Sequence, residues 1–228
     1  MTSVVSWNVH GFVSRDDRFS PEPALRVLER LDPDVVALQE VEDRLWQGIP
    51  ALDWLANRGG WHAWAGPTLM RGDAHYGNAL LSREPATAVR RHELTTSAGE
   101  PRGLLDVEFA HSEASLRVMV THLSLRRGER RRQVDEVLRI VGEPLAGRID
   151  VLAGDFNEWL PRSGLLARLA AAFDAGTRGA TFPARRPLFA LDRVYVRPLG
   201  VLAGFAVEPL PRGESDHLPI VVSLAFPG

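Results

Sequence analysis

Short apolar runs that end in a polar residue constrain this chain more than any other feature. Val4-Val5-Ser6-Trp7 runs into Asn8, Asp34 to Gln39 (DVVALQ) into Glu40, LRVMVT into His122, and DVLAG into Asp155. Each run has the length of a strand, too short for a buried helix. Between them lie helical patterns. Ser20-Pro21 opens one, with Leu25, Leu28 and Leu31 at helical spacing and Pro33 closing it. A second covers Leu52 to Asn57 and stops at Gly59-Gly60. Val134, Val137, Leu138, Val141 and Leu145 predict a long third helix, and Leu165 to Ala172 a fourth. WHAWAG, NALLS, ATAVRRHEL and GLLDVEF make the middle of the chain rich in strands, and ALDRVYV, VLAGFAV and PIVVSLAF end it. Many strands mixed with a few helices predict a layered α/β protein, sheets packed together and helices outside. No shift of composition marks a boundary, so one domain over residues 1–228 is expected.

Composition narrows the chemistry. There is no cysteine, which removes disulfides, thiolate zinc sites and cysteine nucleophiles together. The formal net charge of -2 gives no global attraction for a polyanion, so a nucleic acid would have to be met by a local patch. MTSVVSWNVHGF lacks the basic start and long apolar stretch of a signal peptide, and no apolar run approaches the length of a spanning helix. The expectation is a cytoplasmic protein without membrane insertion, monomeric by default.

The strand-end residues are the candidate site. In LAGDFNEW, side chains two apart in an extended chain point the same way, so Asp155 and Asn157 lean into one space. Asp192 falls within a strand pattern, and Asp216-His217 precede the last one. Taken singly, each has a plainer explanation: a solvated loop acid, an Asp-x-Asn turn, a satisfied histidine. Taken together, two histidines, several carboxylates and two amides at strand ends point to a common purpose. Hard oxygen ligands, Glu40, Asp216 and Asn8, suit Mg²⁺ or Mn²⁺. A carboxylate such as Asp155 can deprotonate a water, while amides and a histidinium hold phosphate oxygens. This inventory suits metal-assisted hydrolysis of a phosphoester.

SWNVHG, ALQEVE, YGNALLSR, THLSL, LAGDFNE, ALDRVYV and SDHLPI, in that order, resemble the endonuclease/exonuclease/phosphatase superfamily. Its members include DNase I-like nucleases, AP endonucleases, neutral sphingomyelinases and inositol polyphosphate 5-phosphatases. The resemblance implies a four-layer α/β/β/α sandwich of two packed mixed sheets flanked by helices. It implies a metal held chiefly by Glu40, helped by Asn8 and Asp216. By the same match Asp155 positions the water, and Asn157 binds phosphate or holds Asp155. His217 contacts the scissile phosphate with Asp192 as its partner, and His122 is a phosphate ligand or general acid. Two departures count against an AP endonuclease: His10 stands where those enzymes carry an acid, and THL where they tend to carry tyrosine. The TFPARRPLFALDR block is similar to that of small bacterial members.

Substrate class is left open between nucleic acid, DNA or RNA, and a phospholipid or small phosphoester. A catalytically inactive binding module is a third reading, disfavoured because no core motif position is missing. Arg126, Arg127, Arg130, Arg131 and Arg132 cluster after His122 and favour a polyanion; the alternative is a solvated helix face paired with Glu129, Asp135 and Glu136. Arg102, Arg186, Tyr76, Asn78 and Trp159 are further candidates for contacting substrate.

Overall fold

The computed structural model describes residues 1–95, 99–111, 114–211 and 214–226. In chain order the elements are β1 (Thr2–Asn8), a 3-10 turn (His10–Phe12), α1 (Glu22–Leu31), β2 (Val35–Glu42), β3 (Leu45–Trp46), β4 (Ile49–Pro50) and α2 (Ala51–Gly59). The strand-rich middle is β5 (His62–Arg71), β6 (Ala74–Ser82), β7 (Ala88–Glu93), β8 (Gly103–Phe109) and β9 (Ser115–His122). Then follow α3 (Arg127–Val141), β10 (Arg148–Asp155), α4 (Gly164–Ala172), β11 (Ala175–Gly176), β12 (Asp192–Arg197), β13 (Leu202–Val207) and β14 (Ile220–Leu224).

Two six-stranded mixed sheets, β13-β14-β1-β2-β6-β5 and β11-β12-β10-β9-β8-β7, face one another. Alternation of side chains along each strand supplies two apolar faces to a sheet. The inner faces meet in one core, with Val4, Ala37 and Leu80 from the first sheet against Val118, Val120, Val151 and Val194 from the second. The outer face of the first sheet packs Val5, Trp7 and Leu38 against Leu25 and Leu28 of α1 and Leu52 and Leu55 of α2. That of the second packs Met119, Leu152 and Tyr195 against Val134 and Val137 of α3 and Leu169 of α4. The expected α/β/β/α sandwich is therefore the fold.

Local chemistry sets the helix limits. Asp32 takes a left-handed conformation after α1, and Gly60 does so after α2, each returning an amide to close the last turn. Ser163 caps α4, its hydroxyl accepting from Leu166 N at 3.2 Å. Two expectations shift. Ser20 accepts from Glu22 N, but the cap position itself is Pro21. The third helix stops at Val141, because Gly142 turns the chain; Leu145 lies beyond the apolar stripe and is exposed.

Candidate active site

The parallel pairs place the site. β1 runs parallel to β2 in one sheet and β9 parallel to β10 in the other, so each pair delivers two C-terminal ends side by side. β12 runs antiparallel to β10 and contributes its first residue at the same end. In register, His122 lies opposite Asp155, and Asp155 opposite Asp192. Cross-strand neighbours share a face, so this row projects together. In the first sheet a bulge interrupts β2 between Leu38 and Val41, and Glu40 takes φ 55° there. The bulge re-aims the Glu40 side chain toward the neighbouring strand ends. Gly154 explains itself by contact: a Cβ there would sit 1.9 Å from Thr121 O, so only glycine lets β10 lie this close to β9.

Asn8 joins the two sheets' carboxylates. Its Nδ2 donates to Glu40 Oε1 at 3.0 Å and to Asp155 Oδ2 at 3.2 Å, and its Oδ1 accepts from His10 N at 3.0 Å. Asp155 is buried, and its Oδ1 accepts from Asn157 N at 2.9 Å. Asn157 holds this turn at φ 50°. Burial, then the charge of Asp192, pushes the Asp155 carboxyl up; His217, the Asn157 amide and Asn8 pull against that rise. For Glu40, burial also works upward, but facing His122, the Asn8 amide, His10 and His217 together hold it below the usual range.

His217 is fixed from both ends. Its Nδ1 lies 2.7 Å from Asp192 Oδ2, and its backbone amide donates to Ser215 Oγ, which in turn donates to Asn8 O at 2.7 Å. Thr181 donates its hydroxyl to the same Asp192 oxygen. Burial alone would lower the His217 pKa, yet the charge and hydrogen bond of Asp192, with Asp155 and Asp216, raise it to about 10. His122 goes the other way. Burial, then the Arg102 guanidinium, lowers it to about 3, with Arg102 Nη1 2.9 Å from its Nδ1.

Two sets of groups can hold a cation. Single ligand atoms of Asp155, Asp192 and His217 lie within 4.8 Å of one another. Near them, Glu40 Oε2 and Asp216 Oδ1 flank His10 Nδ1 at 3.7 and 3.5 Å, and Asp216 Oδ1 is buried with no hydrogen-bond partner. His217 already gives Nδ1 to Asp192 and carries its proton at neutral pH, so in the first set it is a donor and a poor ligand. The orphaned Asp216 oxygen and the largely buried Glu40 carboxylate, 21% exposed, give the second set two hard oxygen donors.

The expected substrate contacts divide. Arg102 is buried and spans from His122 to Glu100, whose Oε1 is 3.2 Å from its Nη2. Asn78 is buried between the sheets, its Nδ2 donating to Gly103 O and Val120 O and its Oδ1 without a partner. Tyr76 is buried under Arg71, which lies 3.5 Å above its ring. Arg130 does not line an approach to the site: it is buried and holds Ser124 O, Leu125 O and, at 3.5 Å, Glu158. Arg126 is exposed and pairs with Glu129 at 3.2 Å. Arg186 is exposed, as are Arg127, Arg131 and Arg132. Trp159 is 40% exposed and packs edge-on against Phe182 and Phe189 at the rim beside His217. Thr181, Ser215 and the cation-flanking position of His10 were not assigned from sequence. Ser215 sits in the SDH motif and Thr181 in TFP, so only their partners were hidden.

Comparison with known proteins bears on the fold and the family. A family model described as "Endonuclease/Exonuclease/phosphatase family" matches residues 5–217. The uncharacterized protein YbhP of Escherichia coli (strain K12) is 29% identical over 238 residues, covering 95% of this chain and 93% of its own. The crystal structure of an endonuclease/exonuclease/phosphatase from Beutenbergia cavernae DSM 12333 matches with a TM-score of 0.79 and 25% identity, covering 100% of this chain and 72% of that one. The structure of D. rerio TDP2 complexed with single strand DNA product shares the fold at a TM-score of 0.72 and 22% identity, covering 98% of each chain. With the motif residues converging at one end of this sandwich and the family model spanning them, the chain belongs to the endonuclease/exonuclease/phosphatase family.

Proposed function

We propose that this protein is a Mg²⁺- or Mn²⁺-dependent phosphodiesterase that hydrolyses its substrate by direct attack of water, with nucleic acid as the substrate class. One observation carries the reading. A buried, raised carboxyl (Asp155) and a carboxylate-backed imidazole (His217–Asp192) share a strand end with two carboxylates suited to a hard cation, Glu40 and Asp216.

Each residue has a role in the chain's own chemistry. Glu40 and Asp216 would hold the metal, and Asn8 keeps Glu40 and Asp155 in fixed relation. When bound, the metal supplies polarisation of a phosphoryl oxygen and charge for the leaving group. Asp155 takes the proton of the attacking water; its burial raises its basicity toward the working pH. His217, protonated and held by Asp192, donates through Nε2 to the phosphate as negative charge grows. His122 serves as a neutral donor. Arginine only donates, so Arg102 makes Nδ1 the acceptor and leaves the ring proton on Nε2. Asn157 Nδ2 lies 2.9 Å from that nitrogen. With the proton on Nε2 the two are donors face to face, Asn157 Nδ2 also donating to Leu123 O at 2.9 Å, and a phosphate oxygen bridging them relieves that repulsion. Of the two roles implied for His122, this supports phosphate ligand over general acid.

Support for nucleic acid comes from the exposed arginines 126, 127, 131, 132, 185 and 186 and from the shared fold of TDP2 in complex with a DNA product. A second reading, a phospholipid or small phosphoester, is favoured by the exposed apolar rim of Trp159, Leu160, Leu188 and Phe189. Nicking of supercoiled plasmid in Mg²⁺ or Mn²⁺, with EDTA and Asp155→Ala controls, decides between them. Metal-dependent nicking lost in Asp155→Ala supports the nuclease. Folded, metal-binding protein that leaves plasmid intact but hydrolyses a phospholipid or small phosphodiester supports the second reading.

A further inference from the structure

On the face of β12 opposite the site lies a cavity of about 620 Å³ between β12, the N-terminal end of α4 and the chain leading into β11. Alternation along β12 turns Asp192 and Val194 inward and Arg193 and Tyr195 outward into its wall. Arg193 is 7% exposed, and its Nε is buried without a hydrogen-bond partner. Its Nη1 reaches Thr177 O only at 3.3 Å. Arg162 and Arg178 line the same cavity, with Asp174 its one carboxylate among the described residues. Among the described residues, none of the three guanidiniums has a carboxylate within 4.0 Å; the buried Glu158 nearby is engaged by Arg130. Ser163 and Leu166 bring the first turn of α4 to the wall. In that turn Ser163 Oγ takes the Leu166 amide, leaving those of Gly164 and Leu165 without intrahelical acceptors.

A buried arginine with an idle N–H is costly unless something completes it. Three guanidiniums at the positive end of a helix are a setting for an oxyanion. We propose that this cavity is a second anion site, which binds a phosphate group through Arg193, Arg178 and Arg162 at the start of α4. Burial above all disfavours the charge on Arg193; Tyr195 and Glu158 relieve this only in part and Arg178 adds to it, so its pKa is lowered, and a bound anion offsets both unfavourable effects. The alternative is an arginine that merely covers Tyr195. It predicts no saturable response to an anion.

The test is a titration of ¹⁵N-labelled protein with inorganic phosphate in EDTA, which removes metal-dependent binding at the catalytic end. Expected are saturable shifts of the Arg193 Nε–H signal and of the amides of residues 163–166. Arg193→Gln weakens binding roughly tenfold and Arg178→Gln severalfold. Arg178 is exposed, so its variant folds even if Arg193→Gln does not. Displacement of phosphate by a phosphorothioate-linked oligonucleotide identifies the occupant as a backbone phosphate; retention identifies a free anion. Shifts confined to Asn8, His122 and Asp155, no saturable shift, or equal affinity in Arg178→Gln and the parent overturns the proposal.

Discussion

Arg102 Nη1 sits 2.9 Å from His122 Nδ1, so the imidazole in the THL motif is backed by a cation where His217 is backed by a carboxylate. Burial lowers both pKa values, and the partners drive them apart: Arg102 helps take His122 down to about 3, while Asp192 brings His217 up to about 10. One strand end thus holds a neutral donor and a cationic donor built from the same residue type.

This predicts that Arg102→Met, which keeps the bulk and removes the charge, raises the pKa of His122. The ring signals of His122 followed by NMR against pH give the answer. Because burial is the larger cause, the pKa stays below the ordinary 6.5. An unmoved titration would show that the guanidinium does not set the ring's charge.

His217 gains its proton affinity from folding, chiefly through Asp192. Its contribution to stability is fully present below about 6.5 and is lost as pH rises through about 10. Asp192→Asn therefore flattens the loss of thermal stability between those values and lowers kcat by about 10²–10⁴. Melting temperatures measured from pH 6 upward, beside activity, check both limbs.

Asp155 has a linkage of the same sign in a lower pH range. Its folded pKa lies above 3.8, so stability falls as pH rises from 3.8 toward that higher value. Asp155→Asn removes this loss. The variant is expected to melt at a higher temperature at pH 7 while losing about 10²-fold or more in kcat. A variant that is both inactive and less stable than the parent would contradict the assigned cost of burying this charge beside Asp192.

Cation binding at Glu40 and Asp216 relieves facing negative charge, so Mg²⁺ or Mn²⁺ raises the melting temperature of the parent in proportion to ligand excess. Glu40→Gln and Asp216→Asn each reduce that rise. If Asp192→Asn abolishes it and these two do not, the metal sits instead among Asp155, Asp192 and His217.

Gly154→Ala places a methyl group 1.9 Å from Thr121 O on the neighbouring strand. The strands must part, at a cost on the order of 3 kcal/mol. Urea denaturation of the variant measures it, and a cost near zero would mean that β9 and β10 separate freely.

Much of the site was legible because its residues sit at strand ends, where an apolar run breaks into an acid, an amide or a histidine. Asn8, Glu40, His122, Asp155 and His217 carry that signal, and motif order supplied the fold. Asp192 was read inside a strand; it is the first residue of β12, and register with Asp155 gives it its place. Arg130 looked like part of a basic approach, yet it is buried on backbone carbonyls, because charge in a sequence says nothing about which side of a helix faces the core. The polar character of each strand end was a local property, set by the residues themselves. Partnership was not local: the resemblance implied Asp192 beside His217, but Arg102 beside His122 and Arg193 turned away from both depend on strand pairing and on side-chain alternation across a closed sandwich. Those contacts join residues far apart in the chain, so only tertiary packing could decide them.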